Sequence, residues 1–327
     1  MCYEDDMRQY RALSKALADR FTRPIYHYTT AEGFKGIVAS SEIWLTNAPF
    51  VNDTTECKAF WQCAKDLVDD QTLRNEYVEE KLKYRLENGP ENDNYYVASF
   101  SNKEDLLSQY RAYGSICIGF DPREMSRRRF DLYRCVYKER DIIGWVHRKA
   151  KLRKWDGDCL KEDSKRYAAH GLVFAASVKC KNAAYRDERE VRLVAVAYSS
   201  WEPSDRPGFA PLTASAVAKS IHADEPAIHF RAHPQYGSVP FVKFFLTLGG
   251  AREDSLTHPK QETIAEMKRR TREEENAMQR QLLPITEVWI GPMQHQKEAA
   301  LACQIMLLER GYENVPVIPS KIPYRGG

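Results

Sequence analysis

The sequence predicts an α+β protein. Short β-branched, apolar runs alternate irregularly with stretches whose apolar residues recur every three or four positions, the mark of amphipathic helices. No regular βαβ period and no internal repeat runs through the chain, which disfavours a doubly wound parallel sheet. With 43% hydrophobic and 29% charged residues, 16 Gly and 16 Pro, the composition excludes collagen-like, disordered and disulfide-scaffold chains. The 327 residues suffice for a large core. They are expected to form an N-terminal helix over 1–22, one α+β domain over 23–325 and a charged helical insertion over about 250–284.

The elements follow in order. Met7, Tyr10, Leu13, Leu17 and Phe21 mark the first helix. Residues 26–28 read as a strand, and Thr29-x-x-Glu32 as a capping box opening a helix with Phe34, Ile37 and Val38 on one face. A strand over 43–46 precedes the cap-rich Asn52-Asp53-Thr54-Thr55-Glu56 and a helix carrying Phe60, Trp61, Ala64 and Leu67. The charged stretch 72–93 reads as a helix with a loop. Strands are expected at 95–101, 115–120, 133–137, 172–179, 188–198, 241–248 and 287–290. Helices are expected at 103–113, 158–170 and 293–310, the last with Ala300, Cys303, Met306 and Leu307 inward. Residues 200–237, rich in Pro, Ser and His, read as an exposed loop. Residues 258–282 read as a solvated helix laced with pairs such as Glu266–Arg270. The alternative for that segment is contact with a partner or a nucleic-acid backbone through Lys268, Arg269, Arg270 and Arg272.

Charge and cysteines narrow the function classes. Lys+Arg number 49 and Asp+Glu 46, a net charge of +3, which argues against a chain held to nucleic acid mainly by overall charge. A local basic groove stays open. No apolar run approaches the roughly 18–20 residues of a membrane span, and the start MCYEDDMRQY lacks the pattern of a signal peptide. A cytoplasmic protein without membrane contact is the expectation. The eight cysteines are scattered with no C-x-x-C, so they read as reduced and mostly in the core, with no metal site.

P-loop, G-x-G-x-x-G, G-x-S-x-G and H-E-x-x-H motifs are absent. Chemistry-bearing residues fall instead in three places. In Tyr26-His27-Tyr28-Thr29, strand alternation puts His27 and Thr29 on one face and both tyrosines on the other. An imidazole beside a hydroxyl suits a ribose; a core histidine satisfied by backbone is the plainer reading. In Glu188-x-Glu190-x-Arg192, a strand would place all three charges on one face, with Val191, Leu193 and Ala195 on the other. Such charges need solvent, each other or a ligand. They form an ion pair, or else a carboxylate there holds a sugar hydroxyl as glycosyl transfer requires. The third place is Ser99-Phe100-Ser101 with Asp105, Ser108-Gln109-Tyr110-Arg111 and Tyr113-Gly114, where caps and packing compete with ligand contacts.

Taken in order, Tyr26-His27-Tyr28-Thr29, Trp44-Leu45-Thr46, Asn52-Asp53-x-x-Glu56, Ser99-Phe100-Ser101 and Ser108-Gln109-Tyr110-x-x-Tyr113-Gly114 begin a series. It continues with Ile118-Gly119-Phe120-Asp121, Glu188-x-Glu190-x-Arg192, Pro240-Phe241-Val242, Glu287-Val288-Trp289-Ile290-Gly291-Pro292 and Ser320-x-x-Pro323-Tyr324-Arg325. The series resembles a widespread prokaryotic family catalogued only as a domain of unknown function. That family is in turn similar to the ADP-ribosyltransferase fold. The resemblance implies a split, mostly antiparallel β-core with flanking helices that clamps NAD as a substrate. It implies Glu190 as the catalytic carboxylate and Glu188 as the group orienting the acceptor. His27, Tyr28, Thr29, Ser99 and Arg192 would then bind NAD. It further implies a toxin or anti-phage effector with a nucleic-acid or protein acceptor and an antitoxin or defence-system partner. Two other classes stand beside it: a metal-dependent nuclease using Asp53, Glu56, Glu188 or Glu190 for Mg²⁺, and a non-catalytic sensor or partner-binding protein.

Overall fold

The structure is a computed structural model. It describes residues 21–51, 58–69, 73, 75–88, 95–125, 130–151, 162–196, 226–247, 269, 273 and 280–324. Residues 1–20 of the expected first helix, the Asn52–Glu56 cap, the nuclease candidates Asp53 and Glu56 and most of the charged insertion therefore lie outside the described residues; Phe21 and Thr22, at the end of that helix, are not helical. In chain order the elements are β1 (Ile25–Thr29), α1 (Ala31–Ser40), β2 (Ile43–Asn47), α2 (Lys58–Asp69), α3 (Glu76–Asn88) and β3 (Tyr95–Ser101). Then come α4 (Leu107–Tyr113), β4 (Ile116–Phe120), α5 (Pro122–Met125), β5 (Phe130–Arg134), α6 (Glu139–Ala150), α7 (Glu162–Lys179) and β6 (Glu190–Val196). The remainder is β7 (His229–His233), β8 (Gly237–Phe244), β9 (Leu246–Thr247), β10 (Arg280–Gln281), β11 (Ile285–Ile290), α8 (Gln296–Glu309) and β12 (Val317–Pro319). This is an α+β protein with a mixed, mostly antiparallel ten-stranded sheet. No helix among the described residues is long and apolar enough to cross a membrane.

The chain divides into two compact units, one of Phe21–Phe50, Asn94–Leu132 and Glu188–Gly327, the other of Met1–Arg20, Val51–Asp93 and Tyr133–Asp187. In the second, α2, α3, α6 and α7 pack on one another. They bury Phe60, Ala64, Leu67, Val78, Leu82, Ile142, Trp145, Leu172 and Ala176. The ammonium of Lys179 lies 5.2 Å from the Trp145 ring and 5.9 Å from that of Tyr133.

The first unit holds the sheet, in the order β12-β11-β4-β1-β3-β2-β8-β7, with β6 on β3 and β5 on β6. Only β11–β12 is parallel among the pairs of defined register. β3 is where the sheet divides. One of its edges carries β6 along its whole length, Tyr95 opposite Val196 through Ser101 opposite Glu190. Its other edge is shared: β2 takes Tyr96 and Val97, and β1 takes Ser101. β1 and β2 therefore part along β3, leaving a gap in the ladder at residues 98–100.

One face of this sheet is apolar. Ile25, Leu45, Phe100, Ile118, Phe120, Val191, Leu193, Val242, Phe244 and Val288 bury together there, beneath Phe34 and Val38 of α1 and Cys303 and Leu307 of α8. The opposite face carries Tyr26, Tyr28, Ser99, Ser101, Cys117, Glu190 and Arg192. The registers fix this, because directly opposed residues point the same way.

Several expectations are corrected. Residues 162–179 form the single helix α7, and 158–161 lie outside the described residues, so the strand expected at 172–179 is instead a helix. A short apolar run does not by itself distinguish the two, and the alanines at 168, 169, 175 and 176 favour helix. Part of 200–237, expected as loop, is strand β7. The cap of α1 is Thr30, whose Oγ1 accepts from Gly33 N at 3.1 Å, and not Thr29. Pairing of Thr29 with Ile116 keeps that residue in the strand. The helix α6 was not anticipated, although Glu139 and Asp141 open it, His147, Arg148 and Lys149 close it, and Ile142, Trp145 and Val146 share its inner face.

Candidate functional site

A strand that begins with a carboxylate and places an arginine two residues later puts both on one face. β6 does this, and its neighbour β3 supplies the hydroxyl between them. Ser99 Oγ donates to Glu190 Oε1 at 2.6 Å, and Arg192 Nη2 donates to Glu190 Oε2 at 3.2 Å. Glu190 is 3% exposed and Arg192 fully buried, so each ion compensates the other in a poorly solvated setting. Ser99 stands opposite Arg192 and Ser101 opposite Glu190, so strand pairing itself assembles the group.

His27 reaches the same point from the gap between β1 and β2. Its Nδ1 lies 2.9 Å from the carbonyl oxygen of Ser99. A carbonyl only accepts, so Nδ1 carries the proton and a neutral imidazole presents Nε2 as an acceptor. Desolvation lowers the pKa of His27 against the smaller opposing effect of that hydrogen bond, which keeps the ring neutral. Its ring lies toward the apolar face, 5.5 Å from Phe100. His27 and the Glu190 carboxylate are thus joined through the two ends of one residue, Ser99, rather than by sharing a sheet face.

The other candidates are placed differently. Glu188 does not share a strand face with Glu190. It ends a 3-10 turn (Ala183–Glu188), and Arg189, at φ 49°, turns the chain into the left-handed region before β6 begins. Its Oε1 accepts from Tyr113 Oη at 3.3 Å. Tyr28 is 6% exposed. Its hydroxyl donates to Lys103 O and accepts from Leu106 N, and its ring meets Tyr110 edge-on at 5.1 Å. That ring is committed to packing and offers no open face for stacking. Thr29 is half-buried, and its hydroxyl fills the space above Gly33.

Beside Tyr28 lies a group the sequence marked only as caps and packing. Tyr110 Oη, Asp105 Oδ1 and Trp289 Nε1 are buried without a hydrogen bond of good geometry. Desolvation first, then the nearby Cys117 and Asp105, raise the Tyr110 phenol well above its usual range. Asp105 itself sits at φ 52°. Buried polar atoms of this kind are what a water or a ligand satisfies. Among the described residues no group of three or more His, Cys, Asp or Glu is poised to hold a metal ion.

Comparison of the chain with family models, with curated proteins and with solved structures returned no match in any of the three.

Proposed function

We propose that the chain is an NAD-consuming ADP-ribosyltransferase built on a split sheet, modifying a nucleic-acid or protein acceptor. The observation that carries this reading is the Ser99–Glu190–Arg192 group, with His27 bonded to Ser99, at the place where β1 and β2 part along β3. The ordered motifs support it by their resemblance to the prokaryotic family and, through it, to the ADP-ribosyltransferase fold.

In such a transfer the C1′–N bond of NAD breaks and its electron pair leaves with nicotinamide. The acceptor's nucleophile bonds to C1′ and gives up its proton. Positive charge grows on the ribose meanwhile. Glu190, already ionised against Arg192, is suited to accept a hydrogen bond from a ribose hydroxyl and to offset that charge. Ser99 fixes the carboxylate's rotamer, and His27, bonded through Nδ1 to the Ser99 carbonyl, holds that part of β3 from the other face of the sheet.

The near-complete burial of Glu190 supports a second reading, in which the pair only holds β3 and β6 together and the protein is a non-catalytic sensor. Glu190→Gln separates the two. The variant removes the charge facing buried Arg192, so it is expected to lose about 3–5 kcal/mol of stability and still fold. As a transferase it releases no nicotinamide from labelled NAD and transfers no label to protein, RNA or DNA, whereas the wild type does both. Equal turnover by folded variant and wild type refutes the catalytic assignment. No turnover by either favours the sensor.

A further inference from the structure

The face that carries Glu190 continues across β2, β8 and β7, and there its character changes. The registers Thr46 with Val97, Trp44 with Lys243, Thr46 with Phe241, and Arg231 with Val239 turn Trp44, Thr46, Phe241, Lys243, His229, Arg231 and His233 to that one side. Over β3 and β6 only Ser99 of this face is exposed. Over these three strands Phe241 and Val239 are buried, Thr46, His229, Arg231, His233 and Lys243 are half-buried, and Trp44 is exposed. Trp44 is 44% exposed and stacks on Phe241 at 4.4 Å and 29°. His229 lies 5.5 Å from the same Phe241 ring, and Tyr236, 46% exposed in the β7–β8 turn, stacks on His233 at 5.0 Å.

Cations are set among these rings. Arg231 crosses β8 to donate to Thr46 Oγ1 at 2.8 Å, and its guanidinium carbon lies 5.9 Å from the Trp44 ring centroid. No carboxylate among the described residues pairs with it, and burial pulls its pKa below the usual guanidinium value. At the end of the same row Glu42 accepts from Trp44 Nε1 at 2.7 Å and is shared by Arg280 and by Lys243, at 3.7 Å. Two cations against one carboxylate leave that end positive as well. Two exposed rings, Trp44 and Tyr236, with half-buried imidazoles and a guanidinium that no carboxylate among the described residues pairs, match flat bases joined by phosphates.

We propose that the β2–β8–β7 face binds single-stranded nucleic acid, its bases on Trp44 and Tyr236 and its phosphates on Arg231, Lys243 and the two histidines. Bases have π-faces whatever their identity, so such binding tolerates sequence. A duplex hides those faces within its own stack and is excluded. The proposal concerns binding alone and does not depend on chemistry at Glu190.

The test is fluorescence anisotropy of the full chain, without NAD, with a labelled mixed-sequence strand of about 16 nucleotides, as DNA and as RNA. The partners for comparison are the matching duplex and an abasic strand of equal length and charge. The single strand is expected to bind at least about tenfold more tightly than either, because only it offers free bases. Trp44→Ala is expected to weaken it about tenfold, Trp44→Phe much less, and Arg231→Gln about fivefold with a shallower salt dependence. Thermal melts show that each variant is folded; should Trp44→Ala not fold, Arg231→Gln and the abasic strand still decide. Equal affinity for the abasic strand or the duplex overturns the proposal. So does affinity unchanged in the folded variants, or no binding up to about 100 μM at low salt. Displacement of the strand by micromolar mononucleotide also overturns it, reassigning the rings to a free nucleotide.

Discussion

His27 is a neutral imidazole tied by Nδ1 to a backbone carbonyl, and this has a pH consequence. Its pKa in the fold lies below the ordinary 6.5, with burial the main cause. The unfolded chain therefore takes up the proton first as the solution is acidified. The stability attached to His27 is complete above pH 6.5 and declines as pH falls through that value toward the lower folded pKa. His27→Gln, which keeps a donor for Ser99 O but does not titrate, should lose less stability on acidification. Urea midpoints of both proteins between about pH 7.5 and about pH 5.5 should show a steeper fall for the wild type, by at most about 1.4 kcal/mol per pH unit. Parallel falls would mean that the imidazole is as easily protonated in the fold as out of it.

Among the elements, the join of α4 to β4 depends on one glycine. Gly114 has φ 123°, a conformation that side chains rarely adopt, and an added Cβ would lie 2.6 Å from the backbone of Thr29 and Thr30. β1 thus passes against Gly114 at the point where it hands over to α1. Gly114→Ala should cost about 3 kcal/mol or more, because neither backbone can yield without losing the Thr29–Ile116 pairing. Chemical denaturation of the two proteins measures this; a loss below about 1 kcal/mol would show that the junction relaxes freely. At this scale the sequence was legible where periodicity was strong. The β-branched, apolar runs read as strands at 95–101 and 188–198 appear as β3 and, shortened to Glu190–Val196, β6, which puts Glu190 beside Arg192. The same reading failed for α7, whose apolar stretch suits either element, and for β7. There the pattern His229-x-Arg231-x-His233 was the available signal, but a strand recognised only by alternating polar residues looks like a loop.

Across the whole molecule, both units build their interiors partly from thiols. Cys63, Cys117, Cys135, Cys180 and Cys303 are buried thiols, none in a disulfide; Cys2, Cys57 and Cys159 lie outside the described residues. Burial also pushes the Cys303 thiol up to about 11, away from the reactive thiolate. With eight cysteines in all, at most 8 − 5 = 3 should react rapidly with a thiol reagent in the folded chain, and all eight after denaturation. More than three fast thiols would mean that one of the interiors opens readily.

The sequence by itself determined the α+β class, the strands that carry Ser99, Glu190 and Arg192, and the chemistry those side chains bring, because these depend on local periodicity and residue type. Only the tertiary structure decided that β1 and β2 share one edge of β3. That pairing lets His27 meet Ser99 and aligns Trp44, Phe241 and Arg231 on the face that carries Glu190. Such pairings join residues as far apart as Thr46 and Arg231, and no local pattern encodes which distant edges will meet. Burial of a common apolar face, shared by all these strands, selects them.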